Sequence, residues 1–457
     1  MISGTKPVSY VTRCALALLG CCVVVAPSST AFAQFGNFFG NQNGVVGGVS
    51  IDAQGTLRTA TARERSGLLK ELRNSVRAPS GAVNEPADLR MISLTKLQTA
   101  VEAAVASGQP LTEEVRYLAG LQRIEYIFVY PNSKDIVLAG PAEGWVVRDD
   151  ASVVGETTGR PVIQLEDLLI ALRNTGETQK SPMSVSIDPT PEGEVRLQQL
   201  LGSLNGRNFN PSQAEPMMKK AMGPQVVSLS TVPTDSRMAS TLVAADYQMK
   251  RYAMGLDQSP VKGMPSYLQM IRNSGASKTQ PRWWMACDYE AILHSADRTA
   301  WQLTGLGIKA MTEDELVAAS GQRTQTGKAN KAAQTWADSF TRNFDVLASQ
   351  DAVMGDLRNV MDLNVVATII DAHKLEAAAG CDLGLLRNGV QTPSYRTAKA
   401  IDPQCSFVRG TAGWTVTASG GVEINPWKMV STKAKPSKEL EAVREQASAG
   451  DVTWWWN

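Results

Sequence analysis

The chain has 457 residues, 43% of them hydrophobic and 19% charged, which is the composition of a folded globular protein rather than a disordered or fibrous one. Its net charge is +1, and with Lys6 and Arg13 set aside as part of a leader the rest carries 43 basic against 44 acidic residues. That balance argues against nucleic acid or an anionic membrane as the partner.

The first 33 residues read as a secretory leader. Lys6 and Arg13 form the basic start, and Cys14 to Ala26 is an apolar run too short for an ordinary spanning helix. Ala31-Phe32-Ala33 then supplies a small-x-small site, with cleavage expected between Ala33 and Gln34. Leu18-Leu19-Gly20-Cys21 is a rival lipoprotein box, with Cys21 as the acylated residue. The expected location is periplasmic or extracellular, with no transmembrane segment after cleavage. Three cysteines remain after cleavage, and Cys381 with Cys405 is the expected disulfide, which leaves Cys287 free.

Residues 34–48 are a Gly/Asn-rich start. Val49 to Asp52 reads as a strand turned by Gln54-Gly55, followed by helices over about 61–76 and 93–107 with a loop at 80–88 between them. Ile124 to Tyr130 and Ile136 to Ala139 alternate around Pro131-Asn132-Ser133 and predict a hairpin. Gln164 to Arg173 is helical by its leucine spacing, and Val185 to Asp188 is a strand. The Val-Ser-Ile-Asp pattern occurs at 49–52 and 185–188, and Gly-Gly-Val-x-Ile recurs near residue 420. The expectation is that the Gly-Gly-Val strands from the two ends share one sheet, with internal duplication as the other reading.

The chain is organised around residues 226–255. Val226, Val227 and Leu229 predict a strand, Val232-Pro233 ends it, and Thr234 or Asp235 is the expected helix cap. Met238, Leu242, Ala245, Met249 and Tyr252 stack on one helical face, and Gly255 is the stop. Asp246 borders that face with Lys250 one turn on. The two are either a surface i,i+4 pair or a half-buried acid held charged for a partner from elsewhere.

Further on, Pro281 to Cys287 and Trp301-Gln302-Leu303 predict strands, and Thr312 to Leu316 a capping-box helix start. Long helices are expected over 328–348 and 353–379, then strands at Phe407-Val408 and Trp414 to Val416. The fold class is α+β or mixed α/β, with small sheets or hairpins packed by several long amphipathic helices in two lobes. The lobes are placed at 49–224 and 225–428, and residues 429–457 are read as a charged tail ending in Trp454-Trp455-Trp456-Asn457.

Asp135 to Trp145, Ser186 to Thr190, Pro233 to Arg237, Ala245 to Lys250, Met311 to Glu315 and Ser419 to Ile424 form a specific set of motifs. Together they resemble an uncharacterised family of exported planctomycete proteins that carry a domain of unknown function. The resemblance implies an exported protein and supplies no chemistry to carry across.

Catalytic patterns are sparse. His294 and His373 are far apart in sequence, no HExxH or CxxC is present, and no metal or other cofactor is expected. Ser236 has no G-x-S-x-G context. The candidate site residues are Asp246, Ser236, Arg237 and Lys250, with Glu143 and Asp188 as further acids at junctions of sheet and helix. The leading expectation is a non-enzymatic binding or structural component of the cell envelope or exterior, whose partner is an envelope protein or a polysaccharide. The alternatives are a hydrolase with a carboxylate site around Asp246, or a carbohydrate-binding protein presenting Trp283-Trp284 or the terminal tryptophans.

Overall fold

The computed structural model describes residues 49–204, 211–271, 279–410, 413–416, 419–448 and 456. The leader with its Ala33-Gln34 and Cys21 sites, the Gly/Asn-rich start, Trp454 and Trp455 lie outside them.

β1 (Val49–Ile51) turns into β2 (Thr56–Thr59) through Asp52, whose carboxylate accepts from the Gln54 and Thr56 amides. α1 (Ala62–Ser75) begins at a Thr61–Glu64 capping box. β3 (Ala87–Ser93) was not foreseen, because its burial is continuous at one end and so lacks a period of two. It runs directly into α2 (Leu94–Ser107), capped by Ser93, and α3 (Glu113–Arg116) follows. β4 (Tyr126–Tyr130) and β5 (Asp135–Ala142) form the expected antiparallel hairpin, and β6 (Trp145–Val147) with β7 (Val153–Gly155) forms another.

α4 (Leu165–Lys180), β8 (Met183–Pro189), α5 (Pro191–Leu204), α6 (Pro211–Met222) and β9 (Gln225–Ser230) lead into α7 (Arg237–Ala253) and the short α8 (Tyr267–Met270). Four strands then pass from the larger sheet into the smaller and back: β10 (Thr279–Asp288), β11 (Ala291–His294), β12 (Ala300–Thr304) and β13 (Gly307–Val317). β14 (Arg323–Gln325) completes the run. The helix start expected at Thr312 is therefore a strand: β13 pairs with β10 from Gly307 to Leu316, and that ladder overrides a four-residue capping pattern.

The two long helices expected over 328–379 are each broken. α9 (Lys331–Arg342) and α10 (Phe344–Gln350) meet at Asn343, while α11 (Ala352–Ala372) and α12 (Leu375–Ala379) meet at Lys374, which has φ +50°. The chain closes with β15 (Ala400–Ile401), β16 (Phe407–Gly410), β17 (Gly413–Val416), β18 (Ser419–Ile424), α13 (Pro426–Lys433), β19 (Ala434–Pro436) and α14 (Leu440–Ala447). Residues 429–448 are thus part of the folded body rather than a tail, anchored by the buried side chains of Met429, Val430 and Leu440.

The architecture is mixed α+β with open sheets. The larger sheet has the order β1-β2-β15-β9-β8-β18-β10-β13-β14 and the smaller β19-β11-β12-β4-β5-β3. Both combine strands from before and after residue 224, so that point does not separate one sheet from the other. β1, which begins at the valine of the first Gly-Gly-Val pattern, and β18, which carries the second, lie in one sheet but are not neighbours.

A two-stranded ribbon joins the sheets. β10 pairs with β13 as far as Asp288↔Gly307, and β11 takes up with β12 at Ala291↔Thr304. The bend between them uses Gly305 (φ +90°), where a Cβ would lie 2.9 Å from the Glu290 amide nitrogen. α7 packs on β8 and β18 and against α11, and α11 is enclosed by α4, α7, α10 and α13. This enclosure explains why every residue from Ala352 to Ile370 is buried.

Candidate functional site

α7 forms where expected but with a different cap. The Ser236 hydroxyl accepts from the Ala239 amide at 3.1 Å, and Thr234 and Asp235 lie outside the helix. At the far end Gly255 takes φ +63°, which lets the Leu256 amide reach back to the Arg251 carbonyl at 2.9 Å. The helix is enclosed nearly all round: between Met238 and Ala253 only Gln248 and Arg251 are not buried. A helix enclosed this way must satisfy its polar side chains internally, and α7 does so at two places.

Toward its C-terminal end, Lys250 Nζ donates to Asp246 Oδ2 (3.0 Å) and to two strand carbonyls, Ile187 of β8 (2.5 Å) and Gly420 of β18 (3.3 Å). An ammonium has three donors, and all three are used. Asp246 is fully enclosed, at 0% exposure, so the pair is neither on the surface nor half-buried. Burial raises the Asp246 carboxyl to about 6, with repulsion from Asp188 adding to the rise, while Lys250 and Arg282 oppose it. Asp188 on β8 therefore bears on Asp246 only through its charge, and no hydrogen bond among the described residues joins the two.

At the N-terminal end Arg237 reaches two acids from other helices, Asp167 of α4 and Asp356 of α11, the latter at 2.8 Å. Glu166 lies beside Asp167 and accepts the Tyr395 hydroxyl at 2.9 and 3.1 Å. The Tyr395 amide in turn donates to the Asp235 carbonyl at 2.6 Å. Three carboxylates thus face Arg237, with Arg116 acting on Glu166 from further away. Burial raises Glu166 to about 7 and Asp167 to about 6, and raises Asp356 as well. A dry carboxyl near 7 is the electrostatic profile of a general acid. Here, however, Glu166 is 4% exposed and sits behind Tyr395.

The remaining candidates lie elsewhere. Glu143 is buried and accepts from Gln122 Nε2 (2.7 Å), from the Thr158 amide (2.9 Å) and hydroxyl (2.5 Å), and from the amide (3.1 Å) and hydroxyl of Thr157. Burial alone would raise its carboxyl, but these donors bring it below its ordinary value. It fastens the 155–160 loop, and no hydrogen bond or ion pair among the described residues links it to Asp246 or Arg237. The Ser236 hydroxyl also donates to the Pro233 carbonyl at 2.6 Å, so it serves as a cap, with no base among its described hydrogen-bond partners.

His294 and His373, distant in sequence, meet in space: their rings lie 5.0 and 4.4 Å from the Trp301 ring. Cys381 and Cys405 are both free thiols, contrary to the expected bridge. Cys405 packs with Leu197, Met218 and Met222 beneath α5 and α6, whereas Cys381 follows α12, which lies on β4 and β5. Trp283 is a core residue, edge-to-face with Tyr267 (4.8 Å) and Trp336 (5.3 Å), and Trp284 lies under Arg282. Neither forms part of an exposed coplanar sugar platform.

Sequence reasoning did not find Glu166, Asp167, Asp356 or Tyr395, nor Asp362, which accepts from Tyr289 (2.5 Å) and Arg123 (3.1 Å). The available signal was charge inside largely apolar helices: Glu166-Asp167 opens the leucine run of α4, and α11 carries Asp356, Arg358, Asp362 and Asp371 within 21 mostly apolar residues. Among the described residues no group of three or more His, Cys, Asp or Glu is arranged to hold a metal. A cavity of about 230 Å³ opens between α2 and α14, lined among others by Ser93, Thr95, Lys96, Tyr130 and Asp135. None of the sequence-derived candidates lines it.

Residues 185–267 match a family model described as a protein of unknown function (DUF1598). The matched segment runs from β8 through α7 to the start of α8, and so holds Asp246, Lys250 and Arg237 together with the Ile187 carbonyl. Comparisons with curated proteins and with solved structures give no significant match. Among the described residues no helix is long and apolar enough to cross a membrane.

Proposed function

We propose that this is an exported, non-enzymatic binding or structural component of the cell envelope or exterior. The export half rests on the leader: a basic start, a short apolar run and Ala31-Phe32-Ala33. The non-enzymatic half rests chiefly on Asp246. Its carboxyl has no exposed surface, and its partner Lys250 spends its other two donors on strand carbonyls. A hydrolase built on Asp246 and Ser236 would need both to reach substrate, and both are committed to holding α7 in place.

The test has two arms. The tagged full-length chain is expressed in a bacterium, its mature N-terminus is sequenced, and the exported protein is used to capture partners from envelope extract. Processing at Gln34 and retention of a defined envelope protein or polysaccharide are the expected results. An intact, unprocessed chain in the cytoplasm overturns the export reading. Hydrolysis of ester, peptide or glycoside substrates that Asp246→Asn abolishes, in a variant of unchanged melting temperature, overturns the non-enzymatic one.

A further inference from the structure

The smaller sheet ends on β3, and residue 456 is attached to that edge. Trp456 forms an antiparallel bridge with Ile92, and its ring packs with Val83, Tyr117, Trp145 and Val162. The same ring lies over Arg90, with the guanidinium carbon 5.6 Å from the ring centroid.

Arg90 is buried at 2% exposure, and among the described residues no carboxylate pairs with it. Its terminal nitrogens donate instead to four backbone carbonyls: Val83 (3.0 Å), Ala119 (2.7 Å), Ala82 (3.0 Å) and Glu85 (2.8 Å). These bonds fix the guanidinium's orientation and use the four terminal N–H groups, and its Nε–H has no hydrogen-bond partner among the described residues. What remains is a flat cationic face, a surface that suits an aromatic ring and offers little to a carboxylate needing in-plane donors.

The other face of β3 is occupied separately. There Met91 packs with Phe128, Val137, Ala139 and Leu440 of α14. Trp456 therefore does not extend the packing of α14; it makes its own contact on the opposite side of the strand. The contact combines one ladder pairing, which an extended backbone supplies, with one aromatic pocket that selects the side chain. Trp456 also keeps part of its surface exposed, so the contact it makes is at the surface of the sheet edge.

We propose that the β3 edge and the Arg90 face form a binding site for an extended peptide segment bearing tryptophan. The occupant is the chain's own Trp456 and the residues that carry it, acting as an exchangeable latch. The proposal stands on this edge alone and is independent of the envelope reading above.

The test uses a chain shortened to end at Ser448 and a labelled peptide of residues 449–457, with binding followed by fluorescence anisotropy. Saturable binding is expected, weakened at least tenfold by Trp456→Ala in the peptide. The full-length chain, whose site is filled, should bind the same peptide at least tenfold more weakly. No binding to a shortened chain with a native circular dichroism spectrum, or binding indifferent to Trp456→Ala, overturns the proposal. If the shortened chain does not fold, the full-length protein decides the matter. Trp456→Ala should then speed amide hydrogen exchange in β3 at least tenfold at an unchanged melting temperature, and unchanged exchange overturns the site. A full-length dimer that the free peptide dissociates would place the segment on a second copy and supports it.

Discussion

Replacing Lys250 by Met tests the interior of this protein most directly. The substitution keeps the volume and apolar stem but removes the ammonium that serves Asp246 and the Ile187 and Gly420 carbonyls. Removing one partner of a buried pair costs about 3–5 kcal/mol because the other charge is left uncompensated. The cost must depend on pH, since Asp246 titrates at about 6 in the folded protein against an ordinary value of 3.8.

A folded-state value raised in this way means that the native protein binds the proton more tightly than the unfolded chain does. The carboxyl's favourable contribution is complete below about pH 4 and is lost as pH rises toward 6. The difference amounts to roughly 3 kcal/mol at 1.36 kcal/mol per tenfold change in proton affinity. Lys250→Met removes an opposing pull and moves that value further up. At pH 8 the variant therefore carries a buried, unpaired charge or a forced proton, and the loss should be about 3–5 kcal/mol. At pH 5 Asp246 is largely neutral in both proteins, and only the two orphaned carbonyls remain, about 1–2 kcal/mol.

The assay is equilibrium urea unfolding of wild type, Lys250→Met and Asp246→Asn/Lys250→Met at pH 5 and pH 8. The double variant should show about the same small loss at both pH values. A Lys250→Met penalty below about 1 kcal/mol, or one that does not change between pH 5 and pH 8, would refute the enclosure of this pair and with it the placement of α7 against β8 and β18.

Arg237→Met should cost about 3–5 kcal/mol, because Asp167 and Asp356 both lose their cation, while Arg237→Lys should cost less but not nothing, since one ammonium cannot reproduce the fork that spans α4 and α11. Urea midpoints measure both. Tyr395→Phe removes the hydroxyl donor to Glu166 and should cost about 1–2 kcal/mol, with a larger loss at pH 8 than at pH 5 because only the ionised carboxylate is left short of a donor. Glu143→Gln should free the 155–160 loop, seen as faster proteolysis there at little change in melting temperature. Gly420→Ala places a Cβ 1.7 Å from the Trp283 carbonyl oxygen and should cost at least about 3 kcal/mol, read as lost soluble yield or a lowered melting point.

The strand β9, the turn at Pro233 and α7 were legible because local signals and tertiary demands agree there: an apolar run, a breaker, periodic side chains and a glycine stop. The hairpin of β4 and β5 was legible for the same reason. β13 was not, because a Thr-x-x-Glu pattern suggests a helix while long-range pairing with β10 makes a strand, and the partner lies in a separate segment of sequence. The segment from residue 429 was read as a tail from its charges, yet Met429, Val430 and Leu440, buried among many exposed side chains, dock it. The site divided along similar lines. Asp246 and Lys250 were visible as an i,i+4 pair, but whether such a pair faces water or the interior depends on what covers the helix, and here the cover comes from α11 and the larger sheet.

The positions of the hidden acids follow from the same enclosure. α7, α11 and the first part of α4 are enclosed, so apolar contact alone would leave their rotation and axial register only loosely fixed. Asp167, Arg237 and Asp356 remove that freedom at one end of α7, since a single guanidinium satisfies acids from both neighbouring helices only at one register. Lys250 does the same at the other end, where its two carbonyl partners lie on adjacent strands of the larger sheet. The ionisable groups that looked most like catalytic candidates are thereby the ones that specify how the helices and the sheet meet. Each removes a degree of freedom from the interior at the cost of burying charge, and that cost is tolerable only because the partners sit on different elements. A substrate introduced at either place would have to displace those partners, and the positions of α4 and α11 relative to α7 would be lost along with them.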